Sequence, residues 1–186
     1  MTTLYQEHRN RWTECNKCEL CSQRNHVVLA RGMVPSPILF IGEAPGQSED
    51  VLGKPFVGPA GKLLDRIIDQ AIDGQHNYAL TNLVACFPRD AKEEGTHEPP
   101  KEAIEACIPR LREFVRMCKP QLIVLVGRLA AKHIVDQDQF GPPWSSTPLR
   151  FCEIIHPASI LRADVSQRGL AIQRSIVILD DAVSEL

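Results

Sequence analysis

The chain lacks any apolar run of the length a membrane helix needs. Its longest runs, such as Leu122 to Val126, fall far short of the roughly 20 residues required. It also lacks an excess of one charge: 21 Lys and Arg stand against 23 Asp and Glu, for a formal net charge of -2 and a pI near 6.3. A globally basic footprint is therefore excluded, and a polyanion would have to be met by a local patch with a shallow salt dependence. Two stretches offer such a patch, one with Arg9, Arg11, Lys17, Arg24 and Arg31, the other with Arg150, Arg162, Arg168 and Arg174. Taken alone, either reads as a solvated face. Internal repeats and low-complexity tracts are absent, and the prolines are dispersed rather than gathered in a linker. The stretch from Met1 to Arg11 has neither an apolar signal core nor an Arg-rich transit composition, so the expected location is the cytoplasm.

What is present is an ordinary globular composition. The 186 residues are 44% hydrophobic and 24% charged, with a mean hydropathy of -0.15, which suits a single domain over 1–186. Short runs rich in Ile, Val and Leu alternate with stretches of helical period, the pattern of a parallel sheet covered by helices on both faces. Strands are expected at Ile38 to Ile41, Tyr78 to Val84, Leu122 to Val126 and Phe151 to Ile155. Leu63, Leu64, Ile67, Ile68 and Ala71 recur at helical spacing, as do Ile104, Cys107, Leu111, Phe114 and Val115. Further helices are expected over Thr3 to Glu14, Arg128 to Val135 and Ser166 to Leu186. Gly42 to Pro59 and Phe87 to Pro100 read as long irregular segments, and each follows a strand, as does His156. In open α/β sheets ligands bind outside the carboxyl ends of the strands, so these loops point function toward one edge.

The seven cysteines, at 15, 18, 21, 86, 107, 118 and 152, are odd in number. A reducing compartment disfavours disulfides, leaving metal binding in competition with plain burial. Cys15, Cys18 and Cys21 open like a ferredoxin motif, yet position 25 is Asn and no Cys-Pro follows. The pair Cys15 and Cys18 needs two further ligands, and Cys86 and Cys107 can return to it. Spacing leaves zinc and an iron-sulfur cluster equally open. Cys118 and Cys152 read as buried or incidental thiols.

The run Gly42-Glu43-Ala44-Pro45-Gly46-Gln47-Ser48-Glu49-Asp50 continues into Gly53-Lys54-Pro55-Phe56-Val57-Gly58-Pro59-Ala60-Gly61. Together with Thr81-Asn82, Cys86, Glu105-Ala106-Cys107 and the run His156-Pro157-Ala158-Ser159-Ile160-Leu161-Arg162, it resembles the iron-sulfur uracil-DNA glycosylases, the fourth family of that superfamily. The motifs stand in the family's order from Cys15 to Arg162. A lone glycine-proline loop is common punctuation; five motifs in register are not.

The resemblance implies a three-layer α/β/α sandwich around a four-stranded parallel sheet. It also implies a structural [4Fe-4S] cluster held by Cys15, Cys18, Cys86 and Cys107, with the first two on the N-terminal stretch 1–31 and Cys21 a bystander. The implied activity is excision of uracil from DNA in base-excision repair by a monomer. That chemistry needs the base out of the stack, donors for a departing uracil anion and a negative group near the sugar cation. Phe56 can stack on the flipped ring. The Asn82 carboxamide can accept from uracil N3–H and donate to O4, a pattern that cytosine reverses. His156 can hydrogen-bond uracil O2. Backbone amides of Gly42, Glu43 and Ala44 extend the cradle, and Glu43 and Glu49 are the carboxylates available to place water or face the sugar. Taken singly, His156 reads as a turn histidine, Phe56 as core and Asn82 as a cap; their joint spacing reverses this. Leu161 and Arg162 are expected on a loop entering the minor groove, as an apolar wedge with a cation beside it.

Several positions depart from the family pattern. Ala85 stands where Lys is usual, Ala158 replaces Ser, and the Asp90 to Glu98 loop is acidic where a basic or proline-rich one is expected, which weakens DNA binding. In a related branch a loop histidine preceded by arginines becomes cross-linked to uracil-DNA; here Gly95-Thr96 precede His97, and a solvated histidine is expected. The alternative function is accordingly a uracil-DNA binding or cross-linking protein with a cluster and little turnover.

Overall fold

Two five-residue runs with no polar side chain, Ile38–Gly42 and Leu122–Val126, are buried along their whole length, the signature of strands covered on both faces. In the computed structural model, which describes residues 3–89, 98–134, 140 and 148–186, they form the centre of a five-stranded sheet. In chain order the strands are β1 (Ala30–Gly32), β2 (Ile38–Gly42), β3 (Tyr78–Asn82), β4 (Leu122–Val126) and β5 (Arg150–Ile154). Their spatial order is β1-β3-β2-β4-β5. Strands β2 to β5 are mutually parallel, and β1 alone pairs antiparallel with β3.

Alternation along β2 distributes the core between two faces. Leu39 and Ile41 pack with Leu111, Phe114 and Val115 of α4 (Lys101–Cys118) and with Tyr5 and Trp12 of α1 (Thr3–Trp12). Ile38 and Phe40 pack on the other face with Leu64, Ile67 and Ile68 of α3 (Pro59–Ile72) and Leu179 of α7 (Val165–Val183). The result is helix, sheet, helix. Three shorter α-helices, α2 (Gln47–Leu52), α5 (Arg128–His133) and α6 (Pro157–Arg162), and a 3-10 turn at Glu19–Ser22 complete the elements among the described residues.

The four parallel strands and the three-layer class agree with the expectation; the antiparallel edge strand β1 is an addition to the four-stranded sheet. Ala30-Arg31-Gly32 is too short and too mixed to show a period of two, and its pairing rests on backbone bonds and on Gly32, at φ 100, whose missing side chain lets the Tyr78 carbonyl approach. Strand β3 is shorter than Tyr78 to Val84, because beyond Asn82 the chain follows the backbone past β2: Leu83 N–H donates to Gly42 O at 2.8 Å and Val84 N–H to Glu43 O at 3.0 Å. The segment Gly42 to Pro59 is not wholly irregular. It holds α2, which Gly53 stops in the left-handed region at φ 66.

Candidate functional site

Parallel register brings the ends of β2 and β3 level, with Gly42 opposite Asn82, and aligns Val126 with Ile154 at the ends of β4 and β5. The residues that follow, Glu43, Leu83, Gly127 and His156, therefore gather at one edge, and the groove there is lined by Phe56, Asn82, Gly127 and His156. Two glycines make the close packing possible. A Cβ on Gly42 would lie 2.5 Å from Phe56 Cζ and 2.6 Å from Asn82 Oδ1, so the ring and the amide meet over a bare Cα. A Cβ on Gly127, at φ 95, would lie 2.7 Å from His156 Cβ.

Phe56 sits at φ 55, a conformation uncommon for a residue with a side chain. Its loop is held from two sides. Arg31 donates through Nε to Pro55 O at 2.9 Å and through Nη2 to Phe56 O at 3.2 Å, while pairing with Asp65 of α3. From below, the loop backbone rests on Gly61 in the first turn of α3, where a Cβ would overlap the Phe56 carbonyl.

His156 caps α6, its Nδ1 accepting the Ala158 N–H at 3.2 Å. That bond puts the proton of the neutral ring on Nε2. Burial, aided by Arg162, lowers its pKa to about 4, so the neutral form prevails around pH 7.

The two carboxylates differ. Glu49 Oε1 accepts the N–H groups of Val57 at 2.9 Å and Gly58 at 2.8 Å, so this side chain fastens the Phe56 loop at the start of α3. Glu43 is half-buried in the groove wall with no such backbone partner among the described residues; burial pushes its carboxyl up, Glu98 adds to this and Arg162 opposes it. The next acid, Asp50, is fully buried and binds the N–H of Asn25 at 2.9 Å, the Asn25 amide at 2.6 Å and Arg89 at 3.2 Å, joining the N-terminal segment to α2.

On the α1 and α4 side of the sheet lies a second, smaller cavity, lined by Cys15, Cys18, Cys86 and Cys107 together with Trp12, Arg24 and Arg110. Among the described residues no three His, Cys, Asp or Glu side chains are set to hold a single metal ion. The cavity is instead ringed by sulfur donors and cations without a carboxylate or imidazole, a donor set that suits a thiolate-ligated iron-sulfur group rather than a hard cation. Arg24 reaches to 3.8 Å from Cys86 Sγ, and burial pushes the Cys86 thiol up to about 12.

The family model of the uracil DNA glycosylase superfamily matches residues 31–174. The chain belongs to that superfamily. A type-4 uracil-DNA glycosylase of Pyrobaculum aerophilum is 31% identical over 161 residues, covering 80% of each chain. Similar proteins of the same name occur in Saccharolobus solfataricus, 38% identical over 122 residues that make up 65% of this chain and 54% of the other, and in Thermotoga maritima, 33% identical over 123 residues, 66% and 62% respectively. The chain thus spans about half the length of some of the curated relatives it matches.

Within this superfamily scaffold the structure brings together Gly42, Glu43, Ala44, Glu49, Phe56, Asn82 and His156 around the groove, and Cys15, Cys18, Cys86 and Cys107 around the second cavity. Leu161 and Arg162 lie on the helix α6 rather than on a loop: Leu161 is half-buried against the α3 and α7 core, and Arg162 is exposed at the groove. His97 and most of the acidic Asp90 to Glu98 loop lie outside the described residues, as does Val135. The N-terminal basic stretch is no continuous patch, since Arg11 pairs with Glu113, Arg31 with Asp65, and Lys17 lies over the Trp12 ring. The groove cations are instead Arg89, Arg128, Lys132, Arg162 and Arg174. Arg128 and Lys132 escaped the sequence reading because they are neighbours of the other cations only across the sheet edge. Gly127, a glycine directly after an apolar strand, was the readable signal for the His156 side of the site.

Proposed function

We propose that this chain hydrolyses the N-glycosidic bond of uracil in DNA, opening base-excision repair. The carrying observation is the convergence of Phe56, Asn82 and a neutral His156 around Gly42 and Gly127 at the carboxyl edge of the sheet. A base turned out of the duplex stacks on Phe56. The Asn82 amide accepts from N3–H and donates to O4, and with cytosine both of its atoms meet the wrong partner.

Water adds to the sugar carbon as that carbon's bond to uracil N1 breaks; the bonding electrons leave with uracil as the anion, and the proton lost by the water passes through solvent to that anion, leaving an abasic sugar and neutral uracil. His156 donates Nε2–H to O2, where that charge develops, without itself needing to be protonated. Glu43 faces the sugar cation and orients the water, while Glu49 keeps the Phe56 loop in place. Arg128, Lys132, Arg162 and Arg174 receive the phosphates. Cys15, Cys18, Cys86 and Cys107 would hold a [4Fe-4S] cluster, whose contribution when bound is to tie the N-terminal segment and α4 to the exit of β3. The reading is of one domain that acts as a monomer on uracil-containing DNA.

The test is anaerobically purified protein on a labelled uracil-containing oligonucleotide, followed by alkali and a denaturing gel. An alkali-labile break at uracil is expected, with Asn82→Ala and His156→Ala each removing most of it at unchanged iron and sulfide content. Intact DNA in the presence of a full cluster would overturn the reading.

A further inference from the structure

Arg110 is the largest fully buried side chain among the described residues, at 1% exposure, and lies three residues beyond Cys107 on α4, on the same helix face. Its guanidinium is divided between two sites. Nη1 donates to Thr81 Oγ1 at 3.0 Å; Nη2 donates to the Asn82 carbonyl and, at 3.0 Å, to the Leu83 carbonyl. Among the described residues Nε has no partner, and the side chain lines the cavity of the four cysteines. No carboxylate among the described residues pairs with it, although Arg31, Arg89 and Arg150 each have one.

A buried cation without an anion and with an orphaned N–H is costly, so the fold leaves room for a negative partner. An iron-sulfur cluster on four thiolates is one, and hydrogen bonds to its sulfurs raise its reduction potential. We propose that Arg110 is a positioning residue that couples the cluster to base recognition: Nε–H donates to sulfur on the cavity side, while Nη1 and Nη2 fix the end of β3 and with it the Asn82 amide. Uracil selection thereby depends on an occupied cysteine cavity about one side chain away, without the cluster touching DNA. This rests on the glycosylase reading only for its effect on Asn82.

Holoprotein and two variants separate the charge from the fork. Arg110→Gln removes both. It is expected to shift the cluster potential to a more negative value, to lose iron to a chelator roughly tenfold faster, and to lower the preference for uracil over cytosine in single-turnover assays several-fold. Arg110→Lys keeps the charge and loses the fork, so its potential returns toward that of the parent while its base preference stays low. Equal potentials and equal rates of iron loss in all three proteins would overturn the proposal, as would a purified parent without iron and sulfide. A shifted potential with unchanged base preference would overturn the coupling to Asn82. A loaded parent that releases no uracil would sink the glycosylase reading instead, and the potentials, measured without DNA, would still decide the role of Arg110.

Discussion

The imidazole of His156 is kept neutral by burial and by the Arg162 charge, which together lower its pKa from 6.5 to about 4. Its contribution to uracil release should therefore be flat from about pH 8 down to about pH 5 and fade below that, when Nδ1 takes a proton and gives up the Ala158 N–H; a pH profile of single-turnover release checks this. Because the folded value lies below the unfolded one, the same residue contributes stability that is complete above 6.5 and is lost as the pH falls through about 4, where His156→Asn should unfold with a weaker acid dependence than the parent. At the carboxylates the expected outcomes diverge. Glu43→Gln should reduce the rate of the chemical step roughly 10²-fold with the fold intact, whereas Glu49→Ala orphans two backbone donors and should cost about 2 kcal/mol in urea unfolding. Asn82, Phe56 and His156 were legible in the sequence only jointly, through motifs in register at and just beyond the strand ends. The division between Glu43 and Glu49 was not, since it depends on which carboxylate reaches the Val57 and Gly58 amides across a turn.

Among the elements, the Phe56 loop is set by its supports rather than by its own sequence. Gly61→Ala drives a methyl group into the Phe56 backbone, so the loop must move and the ring with it. A gain in helix propensity of about 1 kcal/mol offsets part of that cost, so stability should fall modestly while kcat/KM drops roughly 10²-fold. Thermal unfolding beside steady-state kinetics would show the two effects apart. The strands β2 and β4 could be read directly as unbroken apolar runs, and the helices α3 and α4 because their buried faces keep a helical period. Strand β1 and α2 could not: both are stabilised by partners distant in sequence, Ala79, Leu80 and Thr81 for the strand and Asn25 and His26 for the helix, and neither repeats long enough to show a pattern. Arg110 was hidden for the opposite reason. A charge on the apolar face of a helix looks like an interruption until the carbonyls beyond β3 are seen around it.

For the molecule as a whole, a net charge of -2 conceals a cationic groove edge. Reversing Arg162 or Arg174 to Glu should raise the KM for DNA and reduce the slope of log affinity against log salt by roughly 1 for each phosphate no longer neutralised; titrations at several salt concentrations read this directly. The cavity that the cysteines ring lies at the margin of one core, where Cys15 and Cys18 are only half-buried. Stripping the proposed cluster should therefore leave the far-UV spectrum largely unchanged but open the chain to trypsin at Lys17 and Arg24. The order of the strands carries one more meaning. Gly42, Phe56 and Asn82 come from the first half of the chain and from the neighbourhood of two strands that pair with each other, while His156 follows β5, the last strand and the one at the sheet edge farthest from β1. The residues proposed to select a base are thus encoded well before the one proposed to help it depart, and base release on that reading waits for the sheet to receive its final strand.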